Sequence, residues 1–97
     1  MLEQNQILSS LQHYKMQHQH RYGIEDIGIF GSYAKNCATE KSDIDVYVKL
    51  KNSNLFLLSR MRLELEEMFG VPTDIVQVRD KMNQTLKKHI EEEAISA

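Results

Sequence analysis

The sequence predicts an α/β (α+β) domain in which a small, mixed, three-stranded sheet carries helices mainly on one face. Three observations predict it. Residues 43–50, Asp-Ile-Asp-Val-Tyr-Val-Lys-Leu, alternate with the period of a half-buried strand. Residues 55–69 instead place Leu55, Leu58, Met61, Leu65, Met68 and Phe69 in one helical stripe. The chain has 97 residues, enough for a single domain over residues 1–97 and too few for two.

Each element follows in order. From about Leu2 to Tyr22, residues Ile7, Leu8, Leu11, Tyr14 and Lys15/His18 keep the spacing of one helix face, and Gly23 can end the helix in a left-handed conformation. Residues 24–30, Ile-Glu-Asp-Ile-Gly-Ile-Phe, read as a short strand rich in β-branched residues, halted at Gly31-Ser32. A brief helix over about Ser32 to Cys37 precedes a polar loop, Ala38 to Ser42. In the second strand Ile44, Val46 and Val48 share one face, and Asp43, Asp45 and Tyr47 the other. Ser53 or Asn54 can cap the third helix, which Gly70 and Pro72 close. Thr73 to Val78 forms a third strand. Asp80 or Asn83 starts a last helix through about Ala94, with Met82, Leu86, Ile90 and Ala94 on one face. The order is α-β-α-β-α-β-α. Helices on one side leave the acidic face of the second strand open.

Bulk properties exclude several function classes. A net charge of −2 and a pI near 6.1 argue against sequence-independent nucleic-acid binding. A single cysteine, Cys37, cannot form an internal disulfide and fits a reducing cytoplasm. The first ten residues hold no apolar run, so no signal peptide is expected. The apolar cluster Leu55 to Leu58 is far too short to span a bilayer, so no membrane role is expected.

The chemistry concentrates in three places. Asp43 and Asp45, two apart in a strand, project to one side and repel each other unless a cation neutralises them. Mg²⁺ suits that need, because it is small, oxygen-seeking and held by one or two carboxylates plus substrate phosphates. Such a pair alone is most often solvated surface. Gly31-Ser32 ends the preceding strand, where a glycine lets backbone N–H groups approach a phosphate and Ser32 adds a hydroxyl. A strand-ending turn is the plain alternative for a lone Gly-Ser. Together, the cradle and the carboxylate pair make two halves of a metal–triphosphate cleft. Asp74, just inside an apolar strand, is a third acid that could act as general base, complete a metal shell, or simply face water at a sheet edge. Val76 and Val78 fall on the same side of that strand.

Residues 31–46, Gly-Ser-Tyr-Ala-Lys-Asn-Cys-Ala-Thr-Glu-Lys-Ser-Asp-Ile-Asp-Val, resemble the nucleotidyltransferase signature Gly-Ser-x-Ala-Arg-Gly, a short loop, then Ser-Asp-x-Asp-Leu, without a gap from Gly31 to Asp43. Thr73-Asp-Ile-Val76 is similar to the segment holding that family's third carboxylate. The resemblance spans nearly the whole chain and is closest to the minimal nucleotidyltransferases of the DNA polymerase beta superfamily, many of them antitoxins paired with small helical HEPN ribonucleases. It implies a polymerase beta palm-like fold and transfer of AMP from ATP to a tyrosine hydroxyl of a cognate HEPN toxin, in a heteromeric complex. It implies Asp43, Asp45 and Asp74 as catalytic carboxylates and Mg²⁺ ligands in a two-ion site. Gly31, Ser32, Lys35 and Ser42 would hold the nucleotide. Lys35 stands where the family usually has Arg, keeping the charge but losing the bidentate fork. Asn36 stands for the usual Gly and tolerates left-handed backbone.

Two further readings stand beside this one: an antitoxin that acts by occlusion with weak catalysis, and a small-molecule nucleotidyltransferase completed by a partner subunit. The short chain favours a protein acceptor. Nothing in the sequence reads a base edge or fixes the number of AMP units. Elsewhere, His13, His18 and His20 read as a polar helix face rather than a metal site. Lys87, Lys88 and His89 read as cations beside the Glu91-Glu92-Glu93 run on a solvated face. Cys37 reads as a small half-buried residue. Tyr33 and Tyr47 could pack near a nucleotide base or line the sheet.

Overall fold

The computed structural model describes residues 2–52 and 54–97. Helix α1 (Gln4–Tyr22) leads into strand β1 (Ile24–Phe30), a single helical turn α2 (Gly31–Ala34) and strand β2 (Ile44–Leu50). Helix α3 (Leu55–Phe69), strand β3 (Thr73–Gln77), helix α4 (Gln84–Glu93) and a two-residue strand β4 (Ile95–Ser96) complete the chain.

Local chemistry accounts for the helix boundaries. Gln6 Oε1 accepts the Glu3 amide at 2.9 Å at the start of α1, and Gly23 ends the helix at φ +68°. Gly70 does the same for α3 at φ +72°. Asn54 Oδ1 accepts from the amides of Phe56 (2.9 Å) and Leu57 (3.2 Å), making it the α3 cap. Ser53, the other candidate, lies outside the described residues. Asn83 rather than Asp80 caps α4, through the Leu86 amide at 3.1 Å.

Among the described residues the sheet has four strands in the order β3-β2-β1-β4, which corrects the expected three. β1 runs antiparallel to β2 and to β4, while β2 and β3 are parallel, so the sheet is mixed. β4 escapes the sequence because two residues carry no periodicity; only its pairing with β1, Gly28 opposite Ser96 and Ile29 opposite Ile95, defines it. The residues just past α4 turn extended there, as Ala94 adopts φ −72°, ψ 149°.

The core lies between one face of the sheet and helices α1 and α3. Ile7 and Leu11, Ile27 and Ile29, Ile44, Val46 and Val48, Met61 and Leu65 are all fully buried. Each such side chain contributes roughly 1.5–3 kcal/mol relative to exposure. The flanks of the α3 stripe do not join: Leu55 and Met68 are exposed. Helix α4 is the exception to the one-faced arrangement. Its buried Ile90 stays outside the main core and lines a cleft with Tyr47, on the other face of β2.

Candidate functional site

The strict alternation of β2 decides which way its acids point. Ile44, Val46 and Val48 are sealed in the core, so Asp45, Tyr47 and Lys49 face the opposite side. Asp43 precedes the strand and is exposed, while Asp45 is half-buried. Parallel pairing sets Asp45 opposite Asp74 on β3, and antiparallel pairing sets it opposite Phe30, the last residue of β1. Phe30, Asp45 and Asp74 therefore lie in a row across three adjacent strands, about 5 Å apart from strand to strand, and Gly31, the next residue after Phe30, abuts the Asp45 carboxylate. Asp74 is exposed on this outer strand.

Gly31 is required twice over. Its φ of +73° suits glycine, and a Cβ there would run into Asp45 Oδ2, with the Asp45 carboxylate carbon 3.2 Å away. The turn that follows has no side-chain cap at Phe30, and first-turn amides have no acceptor within their own helix. These N–H groups open beside the Asp45 carboxylate. α2 is a single turn, so its axial dipole adds little and the individual donors matter more. Its end is held from α1, where Gln4 Nε2 donates to the carbonyls of Tyr33 (3.1 Å) and Ala34 (3.0 Å). Asn36 takes φ +57° next, as its residue type allows.

Burial, then the negative charges of Asp74 and Asp43, push the Asp45 carboxyl above the ordinary carboxylate range. Asp45 thus senses both of the other acids. Among the described residues, no three His, Cys, Asp or Glu side chains gather closely enough to hold a metal ion as they stand. An all-oxygen, all-carboxylate donor set with a repelled, half-buried member fits a hard divalent cation.

The remaining candidates separate. Ser32 is half-buried at the start of α2, in the cradle. Ser42 Oγ accepts the Thr39 amide at 2.9 Å, closing the loop between cradle and carboxylates. Lys35 Nζ pairs with Glu93 Oε1 at 3.0 Å. Tyr33 is a core residue, whereas Tyr47 lines the sheet's outer face. Cys37 is exposed, not half-buried, and directly follows the left-handed Asn36. His13 and His20 are exposed, while His18 stacks on Tyr22 at 4.7 Å between ring centroids.

A cleft of about 590 Å³ lies farther along the same outer face, and none of Gly31, Asp43, Asp45 or Asp74 lines it. Tyr47 and Lys49 of β2, Asp26 of β1, Ser96 of β4 and Lys87 and Ile90 of α4 line it. Tyr47 Oη donates to Asp26 Oδ2 at 3.1 Å, and Ser96 Oγ donates to Asp26 Oδ1 at 2.6 Å. Asp26 and Ser96 in this cleft, and Glu93 beside Lys35, are polar groups that sequence reasoning passed over. The Glu91-Glu92-Glu93 run hid Glu93 among solvated acids, where Lys88–Glu92 (3.9 Å) is indeed an ordinary helix pair. Only the fold brings Asp26 and Ser96 together.

Comparison with known proteins adds to this geometry. The family described as nucleotidyltransferase domain matches residues 14–97. A Methanocaldococcus jannaschii chain provisionally named a protein adenylyltransferase is 38% identical over 76 residues, covering 77% of this chain and 78% of that one. Protein adenylyltransferase MntA of Thermococcus cleftensis is 34% identical over 77 residues, 78% of each chain. Among solved structures, a provisionally named minimal nucleotidyltransferase has a TM-score of 0.76 at 28% identity, over 97% of this chain and 95% of that one. A complex of an MNT antitoxin with a tri-AMPylated HEPN toxin of Shewanella oneidensis gives a TM-score of 0.70 at 17% identity, over 96% and 70% of the two chains. A toxin–antitoxin structure with AMP-PNP gives 0.72 at 18% identity, over 84% and 67%. At these last two identities the likeness is one of fold.

Proposed function

This chain belongs to the nucleotidyltransferase domain family, and from that premise we propose that it is an antitoxin transferring AMP from ATP to a tyrosine hydroxyl of a HEPN-family ribonuclease toxin. The named relatives support protein adenylyl transfer. The structural neighbour in complex with an AMPylated HEPN toxin supports the class of partner.

The observation that carries the reading is Asp45 set between Asp74, its register partner on β3, and Gly31, which follows β1 and abuts the Asp45 carboxylate. Displacement at phosphorus needs the attacking and leaving oxygens roughly in line. With the triphosphate cradled at Gly31-Ser32 and the α-phosphate over Asp45, pyrophosphate leaves toward the cradle. The acceptor oxygen then approaches from the Asp74 side. It forms a bond to the α-phosphorus as the bond to the bridging oxygen of pyrophosphate breaks. Asp74, exposed at that end of the row, takes the hydroxyl proton. Asp43, Asp45 and Asp74 would hold Mg²⁺, which supplies charge neutralisation for the phosphates when bound. Lys35 offers a further cation at the cradle. A partner laid across the open face supplies the acceptor and excludes water.

The test is incubation of the chain with ATP, Mg²⁺ and the cognate toxin, followed by intact-mass measurement of the toxin. A gain of one or more AMP units is expected, and Asp43→Asn with Asp45→Asn should abolish it. If that double variant protects against the toxin as well as the parent chain does, occlusion rather than adenylyl transfer is the mechanism.

A further inference from the structure

Lys35 is the cation that ends the phosphate cradle, and in this structure it is already occupied. Its Nζ lies 3.0 Å from Oε1 of Glu93, in the last turn of α4. His89 Nδ1 lies 3.6 Å from the same oxygen. The contact is partly open to water, with the Lys35 side chain 51% and the Glu93 side chain 26% exposed. A surface pair of this kind is weakly held and competes poorly with a stronger anion. A bound triphosphate carries several negative charges on oxygens of the same hard type. It also approaches the Glu93 carboxylate, which repels it unless a cation intervenes.

Two features give the pair a consequence beyond one contact. α2 is tied to α4 at this point, while its other attachment, Gln4 to the Tyr33 and Ala34 carbonyls, comes from α1. α4 and β4 supply Lys87, Ile90 and Ser96 to the cleft beside Tyr47 on the sheet's outer face. Whatever holds α4 to α2 therefore also holds one wall of that cleft.

We propose that Glu93 is a stand-in for the nucleotide's phosphates: it holds Lys35 in the empty site and surrenders it when nucleotide binds. Nucleotide binding thus releases α4 from α2 and loosens the wall of the adjoining cleft. Glu93 opposes nucleotide binding, and His89 remains as its partner after the exchange. The inference rests on the assignment of Lys35 as a phosphate ligand and goes beyond it by naming the group that competes for it.

Calorimetric titration with Mg²⁺ and AMP-PNP tests both parts on the intact chain, together with amide hydrogen exchange over residues 84–93. Glu93→Gln should bind nucleotide about three- to tenfold more tightly, and Lys35→Met at least fivefold more weakly. In the parent chain, amides of α4 should exchange faster once nucleotide is bound. In Glu93→Gln they should exchange at that faster rate without it. Unchanged or weaker binding by Glu93→Gln, alongside weaker binding by Lys35→Met, overturns the exchange while leaving Lys35 a phosphate ligand. Unchanged binding by Lys35→Met overturns the assignment of Lys35 itself. Unchanged α4 exchange on saturation with nucleotide overturns the release.

Discussion

Gly31 leaves open the space beside the Asp45 carboxylate: a Cβ on Gly31 would strike Asp45 Oδ2 and lie 3.2 Å from the carboxylate carbon. The glycine thus serves the carboxylate as well as the turn. Gly31→Ala should cost about 1–2 kcal/mol for a left-handed alanine at φ +73°. It should also displace Asp45. The outcome expected is a melting temperature lower by roughly 5–15 °C, together with a loss of AMP transfer larger than the unfolded fraction explains. Transfer rates normalised to folded protein check this; retention of full normalised activity would show that Asp45 does not depend on the space at Gly31.

Asp45 is held against its own stability. Its carboxyl lies above the ordinary carboxylate range because of burial and then the charges of Asp74 and Asp43. The folded chain therefore binds that proton more tightly than the unfolded chain. The contribution of this group to stability is largest at pH below the unfolded carboxylate value and declines as pH rises through the raised folded value. At neutral pH the ionised group weighs against folding. Asp45→Asn should raise the melting temperature by about 2–4 °C, a gain of up to about 0.5 kcal/mol after allowing for solvent screening, while abolishing transfer. Mg²⁺ should stabilise the parent chain by mass action, progressively less as the pH is lowered through the Asp45 value, and should leave Asp45→Asn almost unmoved. Calorimetric melting scans at several pH values, with and without Mg²⁺, measure both effects.

The site was legible in sequence where chemistry is local. Asp45 faces away from the core by parity alone, and Gly31-Ser32 sits one loop away, so linear spacing anticipates the closeness of Gly31 to Asp45. Asp74 stood out as an acid inside an apolar strand, but its register opposite Asp45 was not legible, because it depends on parallel pairing across the intervening α3. β4, the Asp26–Ser96 contact and the Lys35–Glu93 pair were not legible. Each joins residues from distant parts of the chain, and none leaves a periodic trace. Glu93 was indistinguishable from Glu91 and Glu92 until the fold turned it toward α2.

The opposite face of the sheet carries a polar network that serves packing. Glu64 on α3 accepts from Tyr14 Oη at 2.8 Å and from Tyr22 Oη at 3.0 Å, and both tyrosines are buried in α1. His18 packs between their rings. Glu64→Leu leaves two buried phenols without this acceptor, at a cost of about 1–3 kcal/mol. The melting temperature should fall by roughly 4–8 °C per kcal/mol. Glu64→Gln, which keeps an acceptor oxygen, should lose less than half as much. AMP transfer by the remaining folded molecules should be unchanged in both, because the network lies across the core from Asp45. A drop in normalised transfer would place Glu64 in communication with the site.

Gly28 makes room for Tyr47 in the cleft wall. A Cβ at Gly28 would come 2.6 Å from Tyr47 Cε1 and 2.8 Å from Oη, and would also meet the Ile95 carbonyl. The phenol therefore passes over a strand position that must be empty, reaching Asp26 on the far side. Here space rather than backbone angle excludes a side chain. Gly28→Ala should destabilise by about 1–3 kcal/mol through overpacking, and should open β4 from β1, read as faster amide exchange at Ser96 and Ala97. Tyr47→Phe keeps the ring and removes only its donor bond, so it should cost about 0.5–1.5 kcal/mol. Combining Gly28→Ala with Tyr47→Ala removes the ring that the new methyl strikes. The double variant should then lose less than the sum of the two single losses. Strict additivity would show that the methyl is opposed by the Ile95 carbonyl alone, and that Tyr47 can turn aside without cost.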